Sequence, residues 1–317
     1  MGEPAPGRLG ESDLVVSRLA LGSWKTFEHL SKDEGLAVMA AARRLGVTFL
    51  DDARYDDDTG RAPIPTGYSE VLFGELFGAA GWPRAETVVS NKLWWEFWPQ
   101  ESAAAELEGS LKRMGFDYID LIYANPPPTG LDVAQLVDDV AGLVRDGKAR
   151  AWGIVNWPAA QFSEAVKAAA SLGYPAPCAA QLPYSLAGRS VVEDPAMVAA
   201  IESAGAGLVP SFVLAGGLLT GKYRESATGR MGAALSSSRS AAALEIADRL
   251  VGLSAELGHS AASLAVAFAA AHPLTTSTLV GATRPEQLEQ SAAGVALAGT
   301  LDESALAALA AVGPHPH

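Results

Sequence analysis

The chain has 317 residues, 49% of them hydrophobic, with 23 Lys and Arg against 36 Asp and Glu and a formal net charge of -13. That acidity disfavours nucleic acid and anionic membranes as partners, since both carry dense negative charge, although a local basic pocket can still hold a nucleotide. The single cysteine, Cys178, excludes an intrachain disulfide and fits a reducing, cytoplasmic setting, and neither a signal-peptide core nor a long apolar run announces export or a membrane span.

Short apolar runs alternate with longer amphipathic stretches about eight times. The runs are LALGSW (19–24), TFLDDA (48–53), TVVSNKL (87–93), YIDLIYAN (118–125), ARAWGIVN (149–156), CAAQLPYS (178–185), LVPSFVLA (208–215) and TSTLVGAT (276–283). Near-continuous apolar strands are what a parallel sheet covered by helices requires. Between the runs, Leu107 and Leu111 recur four apart, and Val133, Leu136, Val140 and Leu143 recur at three and four, the spacing of a helix face. Ser31 and Ser69 read as helix starts; Gly46, Gly115 and Gly147 read as helix ends. Eight strand-then-helix units predict one α/β domain over residues 1–317, a (β/α)8 TIM barrel. The rival, a doubly wound open sheet, usually carries a Gly-x-Gly-x-x-Gly turn after an early strand, and GSWKTF lacks it. Two long loops, 56–67 and 216–238, follow the second and seventh strands and fall on the C-terminal face, where such barrels keep their sites.

Asp51 and Lys92 end the second and third strands, and Tyr55 follows four residues after Asp51. Facing one barrel mouth, they would form a buried ion pair beside a phenol. An ammonium there would favour the ionised phenol, lower its pKa and make it a better acid. The same residues also read as a structural ion pair beside a pocket tyrosine. The acidic cluster Asp51, Asp52, Asp56, Asp57 and Asp58 matches no metal-binding loop, so a solvated loop without metal is expected. Trp24, Trp94 and Trp157 lie near strand ends and could line an aromatic substrate pocket as well as pack in the core. Arg284 precedes Pro285, which is suited to open a helix, and a helix start beside an arginine can take an anion; an ordinary capped helix with a surface arginine is the alternative. No histidine pairs with a nucleophile at a strand end, so a Ser-His-Asp hydrolase is unsupported.

Taken in order, these segments resemble the aldo-keto reductase superfamily, in particular the branch of potassium-channel β-subunits and bacterial homologues. LALGSW resembles the family's LGLGTW, GVTFLDDARYD resembles GxNFxDTAxxYG, and SEVLFGELF resembles SExxLGxxL. VVSNK ends in the expected lysine, YIDLIYANPPP resembles YIDLxQLHxPD, and GKARAWGIVNW resembles GKIRAIGVSNF. QLPYSL, VLAGGLLTGKY and GATRPEQLEQS continue the match to about residue 295.

The resemblance implies a reductase that uses NADPH, with NADH possible, on a small-molecule carbonyl; the alternatives are another NADPH-linked redox step in biosynthesis or a low-turnover, cofactor-binding regulatory subunit, and the oligomeric state is left open. It assigns the catalytic Asp, Tyr and Lys to Asp51, Tyr55 and Lys92. Asn156 and Gln181 would hold the nicotinamide carboxamide, Tyr184 would stack on the nicotinamide ring, and Trp24 would border both cofactor and substrate. Leu214, Gly216, Leu218, Thr220 and Lys222 would face the pyrophosphate. Gly281, Thr283, Arg284, Gln287 and Gln290 would face the adenosine phosphate. The chain departs from the family in four places. Its catalytic His becomes Asn125, which would orient the substrate oxygen. The Asp51–Tyr55 spacing is one residue short. About eight extra residues precede Ser69-Glu70, making Tyr68 a rival to Tyr55. Finally, Gln290, Ser291 and Val155 replace usual cofactor contacts.

Overall fold

The computed structural model describes residues 4–222 and 238–314. It opens with an antiparallel hairpin, β1 (Gly7–Arg8) and β2 (Val15–Val16), that the apolar pattern does not announce. The eight apolar runs then become eight strands, each shorter than the run that carries it. They are β3 (Leu19–Gly22), β4 (Phe49–Asp51), β5 (Val88–Leu93), β6 (Ile119–Ala124), β7 (Ala149–Val155), β8 (Ala179–Pro183), β9 (Gly207–Ser211) and β10 (Thr278–Gly281).

These strands pair in parallel, in the order β10-β3-β4-β5-β6-β7-β8-β9. Closure comes from the chain just before β10: the Leu208 amide donates to Leu274 O at 2.9 Å, and Leu208 O accepts from Thr276 N at 2.8 Å. The protein is thus a (β/α)8 barrel, as expected. Around it lie α1 (Lys32–Arg44), α2 (Tyr68–Ala79), α3 (Ala103–Met114), α4 (Val133–Arg145), α5 (Ala159–Leu172), α6 (Pro195–Ala204), α7 (Ser238–Leu257), α8 (Ala261–Ala270), α9 (Pro285–Ala298) and α10 (Glu303–Val312). Among the described residues no single helix is long and apolar enough to cross a membrane.

Ser31 caps α1 with a full capping box to Glu34, and Gly115 (φ 70°) ends α3, as their sequence positions predict. Ser69 does not cap α2. The cap is Gly67 (φ 78°), and the Ser69 hydroxyl instead donates to Ala53 O at 2.7 Å, bracing the turn before Tyr55.

Strand alternation decides which residues enter the lumen. Phe49, Val88, Leu121, Tyr123, Ala151, Ala179, Val209 and Leu279 form one buried cluster there, and Leu9, Leu14 and Val16 of the hairpin region plug its lower end. Burying each of the larger side chains contributes about 1.5–3 kcal/mol. The same alternation, continued two residues up from Phe49 and Ala179 and four up from Val88, replaces the apolar layer by a polar one of Asp51, Gln181 and Lys92. The fold therefore delivers these three side chains to the C-terminal mouth.

Candidate active site

A cavity of about 1090 Å³ opens at that mouth and runs from Asp51, Tyr55, Lys92 and Asn125 to Arg284 and Gln290. At its floor, Asp51 is 2% exposed and Lys92 5%. Lys92 Nζ donates to Asp51 Oδ2 at 2.6 Å, to Tyr55 Oη at 3.2 Å and to Asp52 O at 3.4 Å. An ammonium has three hydrogens, so all are engaged and the lysine is locked. Asp51 Oδ1 accepts from Ser90 Oγ at 2.6 Å and from Gln181 Nε2 at 3.2 Å. The buried ion pair expected from the sequence is present, with the phenol of Tyr55 beside it. Tyr68, the sequence rival, opens α2 and is not part of the cavity wall.

One expectation is overturned. Burial pushes the pKa of Tyr55 well above its ordinary value, and the charges of Asp51, Asp52, Glu28 and Glu70 push the same way. The one ammonium does not outweigh them, so Tyr55 is a phenol fully loaded with its proton rather than an acidified one. Asp52 is likewise raised by burial first and by Glu70 second; it accepts from Ser23 Oγ, and its Oδ2 is buried without a hydrogen bond.

Asn125 borders the same cavity as Tyr55. Its Nδ2 donates to Leu93 O at 3.0 Å, which uses one of two amide hydrogens and leaves the other for the cavity. Trp94 meets Tyr55 edge-on with ring centroids 6.0 Å apart. Trp24 also lines the cavity, tilted against Phe212 at 6.3 Å.

Seventeen of the sequence-assigned positions fall together on the wall. Besides Asp51, Tyr55, Lys92 and Asn125 they are Trp24, Trp94, Asn156, Gln181, Leu214, Gly216, Thr220, Lys222, Gly281, Thr283, Arg284, Gln287 and Gln290. Three do not. Tyr184 cannot stack in the cavity: β8 puts residues 179, 181 and 183 inward, so the ring of Tyr184 goes to the helix layer. There it stacks on Phe268 at 5.3 Å, and its hydroxyl donates to Glu193 at 2.8 Å. Trp157 is 1% exposed, with its indole N–H on Ala124 O at 2.7 Å; the left-handed backbone of Asn156 (φ 59°) breaks the alternation and turns the next side chain into the core. Leu218, 3% exposed, packs inward from the 3-10 turn Ala215–Thr220. Sequence reasoning missed Phe212, which reaches the wall through a left-handed backbone (φ 55°), and the pair Lys25 and His29. Asp58 of the acidic loop binds both, at 2.9 Å and 3.0 Å, and clasps that loop across the rim. Of the other loop, residues 223–237 lie outside the described residues.

At the far end, Gly216 (φ 69°) and Gly217 (φ 91°) turn left-handed, a conformation that L side chains resist, and Thr220 Oγ1 closes the turn on Gly217 O at 2.8 Å. Arg284 is the exposed N-cap of α9 with Pro285 behind it, and among the described residues its side chain makes no hydrogen bond or ion pair.

A (β/α)8 barrel with an inward Asp-Lys pair, a phenol and a long cleft at its C-terminal mouth has the layout of a barrel oxidoreductase. The aldo/keto reductase family model matches residues 18–313, and the chain belongs to that family. It is 32% identical over 302 residues to a protein of Oryza sativa subsp. japonica, covering 89% of this chain and 88% of that one. It is 31% identical over 299 residues to a protein of Arabidopsis thaliana, again with 89% and 88% covered. Both relatives carry the name probable voltage-gated potassium channel subunit beta.

Proposed function

We propose that this chain is an NADPH-dependent reductase of small-molecule carbonyls, with Tyr55 as proton donor. The observation that carries the reading is the direction of one hydrogen bond. Lys92 donates to Tyr55 Oη, so the phenol's own hydrogen is left for an acceptor in the cavity that Tyr55 lines.

The residues present fit a nicotinamide dinucleotide. The cavity is long enough to reach from the Asp51 floor to α9. Gly216 and Gly217 offer backbone without side chains, and Arg284 offers an uncommitted cation to a phosphate. Asn156 and Gln181 would hold the carboxamide end. When bound, the cofactor supplies hydride to the carbonyl carbon.

The chain's own part is to place the carbonyl and move one proton. Asn125 gives its second amide hydrogen to the carbonyl oxygen and holds it in line. Tyr55 transfers its phenolic proton to that oxygen as the carbon–oxygen double bond becomes single, and the product leaves as an alcohol. Because burial, and then the charge of Asp51, oppose a phenolate, Tyr55 keeps its proton until an acceptor oxygen is in place. Trp24, Trp94 and Phe212 exclude water from the reacting end.

A second reading has its own support. Two relatives are named as channel subunits, and the family's catalytic His is replaced by Asn125, so the chain could hold the cofactor with little turnover as a partner-binding subunit. NADPH consumption with a panel of reactive aldehydes separates the two. Turnover supports the reductase; tight NADPH binding without turnover supports the subunit.

A further inference from the structure

Arg54 immediately precedes Tyr55, yet its side chain stays off the cavity wall and is 4% exposed. It collects three carboxylates from one stretch of chain: Glu101 at 3.2 Å, Glu106 at 3.1 Å and Glu96 at 3.5 Å. Phe97 lies over its guanidinium at 5.1 Å. Of the three, Glu106 is the buried one, with 3% of its side chain exposed. Both of its oxygens also accept backbone amides, from Trp94 at 2.8 Å and Trp95 at 3.2 Å. Trp95 is held with a left-handed backbone (φ 62°), and its indole N–H donates to Asn125 O at 3.0 Å.

One guanidinium therefore ties the segment carrying Trp94 and Trp95 to the strand end carrying Tyr55. A buried charge cluster is a poor way to gain stability, because apolar side chains of similar volume often do as well. What charge adds here is direction. The planar fork can bridge several carboxylates in fixed geometry, and Glu106, so held, presents both oxygens to two consecutive amides. Trp94 then stands edge-on to Tyr55, and Trp95 fixes the backbone of Asn125.

We propose that Arg54 is a positioning residue that, through Glu106, sets the Trp94 wall and the Asn125 backbone against Tyr55 and so determines which carbonyl substrates fit the reacting end. It touches neither substrate nor cofactor. The proposal rests on the reductase reading for its kinetic consequence, but the placement of Trp94 is measurable without turnover.

The test uses the full chain labelled with fluorotryptophan, with the Trp94 signal assigned by Trp94→Phe and NADPH bound. In Arg54→Met the fluorine resonance of Trp94 shifts or splits, while that of Trp157, anchored on Ala124 O, stays. In steady-state kinetics, KM for a bulky aromatic aldehyde rises about 10-fold to 100-fold, KM for a short aliphatic aldehyde changes by less than about threefold, and NADPH affinity is unchanged. Glu101→Gln removes one half-exposed arm and leaves no buried charge unpaired, so it folds and shows the same effects in smaller measure. Arg54→Lys keeps the charge but lacks the fork, and it does not restore the wild-type signal. An unmoved Trp94 resonance in a folded Arg54→Met or Arg54→Lys protein overturns the proposal. So does a moved resonance with an unchanged ratio of the two KM values. If wild type turns over no aldehyde at all, the reductase reading fails, and the resonance comparison still decides whether Arg54 places Trp94.

Discussion

Removing the charge of Asp51 should cost more stability than removing that of Lys92. In Asp51→Asn the ammonium stays 5% exposed and loses its counter-charge, left with neutral acceptors alone: the amide oxygen of the new side chain, Tyr55 Oη at 3.2 Å and Asp52 O at 3.4 Å. Stranding one partner of a buried pair costs about 3–5 kcal/mol. In Lys92→Met the carboxylate keeps Ser90 Oγ at 2.6 Å and Gln181 Nε2 at 3.2 Å. Hydrogen bonds to a charged group are worth about 1.5–3 kcal/mol each, so the stranded carboxylate is far better satisfied and the loss falls to about 2 kcal/mol. The double variant leaves no charge stranded and should be more stable than Asp51→Asn alone, with a coupling energy of about 2 kcal/mol. Urea unfolding at neutral pH with an unchanged m-value measures all three. An independent readout is the ultraviolet titration of Tyr55. Asp51 is the charge that most opposes its ionisation, so Asp51→Asn moves that titration to lower pH. Additive losses, or a cheaper Asp51→Asn, would refute the reasoning.

Arg284→Ala should weaken NADPH binding roughly tenfold to hundredfold and leave NADH nearly unchanged; equal losses for both cofactors argue against a phosphate contact. Asn125→Ala should lose on the order of 10²–10³ in kcat, and a variant as fast as wild type sinks the amide-donor role. In the acidic loop, the Thr59 hydroxyl above all, and then backbone amides, lower the Asp57 carboxyl from 3.8 to about 2. A depressed folded pKa gives stability that is present above 3.8 and lost as pH falls through about 2, so the Asp57 carboxyl carbon and the Thr59 amide should titrate together near the lower value; a midpoint at 3.8 contradicts the Asp57–Thr59 hydrogen bonds.

The barrel and the polar floor were legible because they depend on alternation, which is a local property. Once Phe49 is inward, Asp51 is inward too, and Lys92 and Gln181 follow from their own strands. Tyr184 was misplaced although the same parity argument covers it, since it stands one residue past an inward Pro183. Trp157 and Phe212 were beyond reach for a different reason. Each depends on a left-handed residue, Asn156 at φ 59° or Phe212 itself at φ 55°, and nothing in an apolar pattern marks where the backbone reverses. The rise in the Tyr55 pKa was missed because its burial, the largest cause, and the approach of Glu28 and Glu70 to the neighbouring Asp51 and Asp52 arise only in three dimensions. The β1–β2 hairpin escaped because two-residue strands carry no period.

The central claim is that the Tyr55 phenol protonates a carbonyl at this mouth. Its most direct test is single-turnover reduction of a reactive aldehyde by the preformed NADPH complex, followed by nicotinamide absorbance in wild type, Tyr55→Phe and Tyr68→Phe. Tyr55→Phe should bind NADPH as tightly as wild type and lose about 10²–10⁴ in rate, and Tyr68→Phe should keep the full rate. A Tyr55→Phe protein that reduces the aldehyde as fast as wild type would contradict the account.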